Sequence, residues 1–321
     1  MFQNMIHAPQ STLSEPQKPI LPHWIMDGSA ATTAENAGFA SGSALALLHA
    51  VLNDPNIHLP ANLLKNHFAL SAAVHCLRLG RMRFGKADLL DAYYFTKQGD
   101  ACGPGGDMLA FWLKACAIKI GTKGWQNRVM KLVPDHMSEE VYGRLDFDGD
   151  GSVPRSPVAA AAALLRTVHQ AYPDDEAIAF FLADIRLSHD LRWPSVFPFF
   201  GQHLTGKDFK AAEDVFLVDC HRTVSTTAQN AVRQAYDLAR RSARLQDIAP
   251  KLRAKGAEAA LQLFLSEVAV TPSSMLSPKI KGTNIFMTSR AARRLCDRLV
   301  ALGVVKELTG RPTFRLYGLV S

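Results

Sequence analysis

Arg290, Arg294 and Arg298 recur at every fourth position near the end of the chain, with Arg293 beside them and Asp297 interrupting them. At about 3.6 residues per turn this spacing sets three guanidiniums on one ridge of a helix. Such a ridge can pair with phosphate oxygens or fork onto guanine O6 and N7. That is the chemistry of binding, and duplex DNA is the partner it fits.

Residue patterns for bond-making chemistry are weaker. Gly80-Arg-Met-Arg-Phe-Gly85-Lys86 matches the first seven positions of a phosphate-binding loop, but Ala87 stands where a hydroxyl must hold magnesium, and an amphipathic helix precedes it instead of a strand. Asp146, Asp148, Asp150 and Gly151 open like a calcium loop, yet Pro157 occupies the place of the bidentate glutamate. Gly103 to Gly106 could cradle an anion at a helix start, with Asp107 opposing it. His58, His67 and His75 are spaced by nine and eight residues, which excludes a shared helical face for metal. Asp184, His189 and Asp190 form a polar cluster on one helix and read as structural. Five scattered cysteines without a CxxC pair read as buried thiols. No catalytic, cofactor-binding or metal residue is assigned.

The elements around the arginines explain how they would be presented. Thr288 and Ser289 can accept first-turn N–H groups, Ala292, Leu295, Leu299 and Leu302 make an apolar stripe, and Gly303 ends the helix. Val304 to Leu308 and Thr313 to Tyr317 then read as two strands joined by Thr309-Gly310-Arg311-Pro312. A basic helix followed by a hairpin is the order of a winged helix. In that geometry Ser289, Arg290, Arg293, Arg294 and Arg298 face the groove, Arg311 and Arg315 lie on the wing side, and Lys279 and Lys281 meet the DNA backbone. Ala257 to Glu267 supplies the first helix. Met275 to Lys281 supplies a second one, compressed between Pro272 and Pro278.

Charge partition supports the same end of the chain. From Arg240 to Ser321 there are 15 Lys and Arg against five Asp and Glu, a net +10, whereas the preceding 239 residues hold 21 against 24, a net −3. Such asymmetry is the footprint of a polyanion-binding end on an ordinary globular body. With 48% hydrophobic residues the 321-residue chain can bury one large core or two smaller ones. The absence of a long apolar run or a secretory start predicts a cytoplasmic protein without a membrane span.

Residues 1–33, with four prolines and no periodicity, read as an extended leader. Helical periodicity then predicts Ala34 to Leu52, Ala61 to Leu79, Ala87 to Thr96, Gly106 to Lys119, Gln126 to Leu132, Ser138 to Leu145, Val158 to Tyr172, Asp175 to Leu191 and Lys207 to Leu245. Strand-like alternation is absent before Val304. The expected fold is all-α: a multi-helix body over 34–249 and a winged helix-turn-helix with its two-stranded β-hairpin over 250–321. In the longest helix, Cys220, Val224, Ala228, Ala231, Ala235 and Leu238 repeat at threes and fours. Their small side chains suit packing inside the body better than a homodimer seam.

GSALALLHAVL (42–52), GDACGPGGDML (99–109), ADIRLSHDLRWPSVFP (183–198), APKLRAKGAEAALQLFL (249–265) and AARRLCDRLVALGVVKELTGRPTFRLYGL (291–319) resemble the blocks of a bacterial family, domain of unknown function 1403. The resemblance implies a helical protein of one type along nearly the whole chain, and it brings no activity or ligand. The expectation is therefore a non-enzymatic DNA-binding protein, a candidate regulator, that needs a homodimer or a partner for tight specific binding. A helical scaffold that docks protein through the winged helix is the alternative, and an enzyme site in the body is the third.

Overall fold

The computed structural model describes residues 32–97, 99–147, 156–252 and 255–319. The proposed calcium loop from Asp148 onward, the leader up to residue 31, and Arg253 lie outside the described residues. Helices dominate, as the periodicity predicts. In chain order they are α1 (Ala34–Leu52), α2 (Ala61–Leu79), α3 (Lys86–Phe95), α4 (Gly103–Ala117), α5 (Trp125–Met130), α6 (Ser138–Gly143), α7 (Pro157–Ala171), α8 (Glu176–Asp190), α9 (Glu213–Ile248), α10 (Ala257–Phe264) and α11 (Ser289–Ala301). None of them is long and apolar enough to cross a membrane.

Local chemistry sets several helix starts. Thr33 accepts from the Asn36 amide at 3.3 Å to begin α1, and Ser156 accepts from Ala159 at 3.2 Å to begin α7, where Pro157 takes the first helical position at no cost in donors. α1 lies along α9, α7 pairs with α8, and α2 with α4. Ala37, Ala40, Ser41 and Ala44 of α1 meet a row of equally small residues on α9, so the two backbones approach closely. The small-residue stripe of α9 thus belongs to the chain's own core: Cys220, Val224, Ala228, Ala231 and Ala235 are completely buried.

Residues 193–200 fill the centre of the body with Trp193, Phe197, Phe199 and Phe200, each contributing about 1.5–3 kcal/mol on burial. Asp184 of α8 anchors this segment, its Oδ1 accepting from the Phe199 and Phe200 amides at 2.8 and 3.1 Å. Burial holds that carboxyl far above the usual carboxylate range, because its two amide donors only partly offset desolvation.

A second core forms at the C-terminal end. Leu245 and Ile248, in the last turn of α9, pack there with α10, α11 and the strands. Gly256 opens α10 with φ +84°, and a Cβ there would stand 2.8 Å from Ile285 and 2.9 Å from Ile280, so glycine is required twice over.

Val270 then exchanges both backbone bonds with Tyr317 (2.8 and 3.0 Å). This is a single bridging residue, and among the described residues no strand precedes Val304, as the lack of alternation predicts. The expected second helix is displaced. A five-residue turn spans Pro272–Leu276, capped by Thr271, and Lys279 to Phe286 form a tight hairpin around Gly282 instead of extending that helix.

The final hairpin pairs β1 (Val305–Glu307) with β2 (Tyr317–Leu319) in antiparallel register, Val305 opposite Leu319 and Glu307 opposite Tyr317. Its connection runs from 308 to 316, longer than the expected four-residue turn. Glu307 organises the connection by accepting from the Thr309 and Gly310 amides at 2.7 and 2.8 Å. Leu316 faces the body core together with Val268 and Ala269. Gly318 permits the close approach, because a Cβ there would stand 2.9 Å from the Val268 carbonyl oxygen.

Candidate nucleic-acid interface

α11 buries one face and exposes the other for a purely local reason. Ala292, Leu295, Cys296 and Leu299 fall on the core side, and Thr288 caps the start by accepting from the Ala291 amide at 3.2 Å. Arg290, Arg293, Arg294 and Arg298 are therefore all exposed. Among the described residues no carboxylate pairs with any of the four. Arg290, Arg294 and Arg298 line one open groove of about 580 Å³, whose opposite wall is formed by Lys251 and Leu252 at the entrance to the C-terminal unit. Eight residues separate the first arginine from the last, which is about 12 Å along a helix, or the rise of three to four base pairs. Among the described residues the groove thus offers four cations with no counter-charge over a length that matches a nucleic-acid backbone.

The other expected contacts have different partners. Arg311 reaches Asp91 of α3 at 2.5 Å and lies 5.8 Å from the centre of the Phe95 ring, which also takes the edge of Phe314. The hairpin connection is thus pinned to the body, and Arg311 is not presented at an open tip. Arg315 donates to the Arg311 carbonyl at 3.0 Å and stands 4.0 Å from Asp297, so it offsets the one acid that interrupts the ridge. Lys281 is paired with Glu267 at 2.7 Å, and Glu267 also accepts from the Tyr94 hydroxyl. Lys279 is exposed on the preceding hairpin, outside the groove. The Ser289 hydroxyl is 3.0 Å from that of Ser277, which ties the start of α11 to the turn before it.

Lys251 is not among the contacts expected from the sequence, because nothing local shows that the chain after α9 lies across α11.

The model of the family described as Protein of unknown function (DUF1403) matches residues 10–319. The chain belongs to this family. Neither a curated protein nor a solved structure matches it.

Elsewhere in this DUF1403 chain the alternative motifs have structural uses. Gly85 caps α3, and its amide donates to Asp88 Oδ2 at 2.7 Å, so a carboxylate occupies the place an anion would take. Gly103 to Gly106 form the first turn of α4, where a Cβ on Gly106 would stand 3.3 Å from Ala92 of α3, a packing contact and not a phosphate cradle. His67 is pushed down to about 4 by burial and then by Lys86 and Arg241, and His75 bonds the Leu204 carbonyl at 2.6 Å. His189 lies against Trp125 and Phe147, while Asp184 points to the Phe199 turn, so the two do not converge. Burial raises the thiols of Cys76, Cys116 and Cys296 to about 12, which leaves them unreactive, and Cys102 is half-buried. Among the described residues no group of three His, Cys, Asp or Glu side chains could hold a metal ion.

Proposed function

We propose that this DUF1403 protein binds duplex DNA through the exposed face of α11, with the C-terminal unit acting as a winged helix-turn-helix. The order of elements supports that reading: α10, the lone bridging residue at Val270, the Pro272–Leu276 turn, α11, then the β1–β2 hairpin. A helix, a strand, a short helix, a recognition helix and a hairpin succeed one another in the same sequence in winged helices. The observation that carries the proposal is the row of Arg290, Arg294 and Arg298 facing Lys251 across one groove, with no neutralising acid among the described residues. A helix of this kind enters the major groove with its side chains toward base edges and phosphates.

The reading differs from the sequence-based one in where the contacts lie. Recognition falls on α11 and Lys251, with Arg293 beside the ridge, while Arg311 serves to hold the hairpin to the body. A single module covers only about 600–1,000 Å² on DNA, so tight specific binding calls for two copies. The buried stripe of α9 is already used inside the chain, so a homodimer must use another surface. This role also assigns the protein to the bacterial cytoplasm, where the chromosome lies.

The test is titration of a fluorescent random-sequence duplex with the full chain at several salt concentrations. Phosphate neutralisation makes log K fall linearly with log salt. A weak response that does not change with salt would transfer the groove to the alternative reading, docking of a protein partner.

A further inference from the structure

A second cavity, of about 590 Å³, opens between α1, the start of α7, the residues that follow α8 and His221 of α9. Its size falls within the range of small-molecule sites, about 300–1,000 Å³. Gly38 and Gly42 form its floor on α1, and no heavy atom lies within 4 Å of the position a Gly42 Cβ would take. Apolar side chains make most of the remaining wall, Phe39, Leu45, Leu191 and Trp193 among them. None of the residues lining it is Lys or Arg, so an anion would meet no counter-charge.

Glu35 lies exposed at the start of α1 and Ser156 caps α7; the polar groups deeper in the cavity are few and fixed. The hydroxyl of Ser41 donates to the Gly38 carbonyl at 3.0 Å and lies 2.7 Å from His221 Nδ1. A serine has one proton, so the second contact requires His221 to carry its hydrogen on Nδ1, which leaves a lone pair on Nε2. His221 is only 5% exposed, and among the described residues nothing bonds Nε2, which lies 4.0 Å from the position of a Gly38 Cβ. Burial lowers the His221 pKa and so favours the neutral ring. Trp193 Nε1, a donor only, bonds His49 Nδ1 at 3.0 Å and holds the indole against the cavity.

We propose that this cavity binds a neutral, largely apolar ring molecule that donates one hydroxyl or N–H hydrogen to His221 Nε2. The site is independent of the role of the C-terminal groove. His221 sits on α9, the same continuous helix whose last turn places Leu245 and Ile248 in the core behind the arginines.

Indole and indene are the probes, since they share shape and differ in the N–H. Calorimetric titration of the full chain should give saturable one-to-one binding of indole, with indene weaker by roughly five- to tenfold, the value of one hydrogen bond. His221→Phe should erase the preference, so that indole and indene bind alike. Gly42→Phe, whose side chain enters open space and leaves the packed face untouched, should abolish both while the unfolding temperature is kept. Absence of saturable indole binding, indole binding undiminished in Gly42→Phe, or a preference that survives His221→Phe would each overturn the proposal.

Discussion

Replacing Arg290, Arg294 and Arg298 together by alanine should change how DNA binding responds to salt more than it changes the fold. The five exposed cations assigned to the interface are Lys251, Arg290, Arg293, Arg294 and Arg298. If each neutralises one phosphate, the slope of log K against log salt is about −4.5, at about −0.9 per phosphate. Between about 50 and about 200 mM salt the wild-type affinity would then drop roughly 500-fold. The triple variant retains two of the contacts, a slope of about −1.8, and a drop of only about twelvefold over the same interval. Stability should move little, because all three side chains are exposed and surface substitutions fall within about 0.5 kcal/mol. Fluorescence anisotropy with a random-sequence duplex measures both slopes. The decisive control is Arg311→Ala, which removes an equal charge that is already paired with Asp91 and should leave the slope at the wild-type value. A slope lowered as much by Arg311→Ala as by removing one α11 arginine would refute the assignment, as would a triple variant indistinguishable from wild type.

Other expectations follow from the contacts that position the interface. Arg311→Ala and Asp91→Ala should each destabilise the chain by about 1 kcal/mol, from a half-exposed ion pair and the lost Phe95 contact, with a coupling of about 0.5 kcal/mol in a denaturant double-mutant cycle; additivity would show that the pair is not formed. Asp184→Ala should cost roughly 2–4 kcal/mol by leaving the Phe199 and Phe200 amides unpaired, whereas Asp184→Asn keeps an acceptor and should cost far less. The folded-state pKa of Asp184 is raised, so its contribution is full at low pH and is lost as pH rises above the unfolded value of 3.8; Asp184→Asn should therefore gain on wild type with rising pH. His67 has the opposite sign. Its folded pKa of about 4 lies below the unfolded 6.5, so the unfolded chain takes the proton first and stability falls as pH drops between those values. Measured against His67→Asn, wild type should lose roughly 2–3 kcal/mol between neutral pH and pH 4, and parallel pH profiles would contradict the burial of that ring.

Much of the helical body is legible locally because the helices carry their own apolar period and three of them, α1, α7 and α11, also carry a side-chain cap. Thr33, Ser156 and Thr288 are side-chain caps, and the observed bounds of α1 and α2 coincide with those expected from periodicity. The second helix of the C-terminal unit was misplaced because Pro272 and Pro278 restrict the backbone without saying which side of them turns, and the bridging residue Val270 has no sequence signature of its own. It bridges Tyr317, which lies 47 residues away.

The sequence alone determined that α11 would have a basic face, because four arginines and an apolar stripe at helical spacing cannot share one side. It also determined where the charge of the molecule is concentrated. The tertiary structure decided which of those charges are available. Asp91 and Phe95, more than 200 residues earlier, capture Arg311, while Glu267 takes Lys281 and Asp297 faces Arg315. Lys251 joins the groove only because the chain after α9 returns across α11. Charge is a property of each residue and can be counted along the chain, whereas its neutralisation falls off within a few ångströms and depends on which distant segments the fold brings into contact.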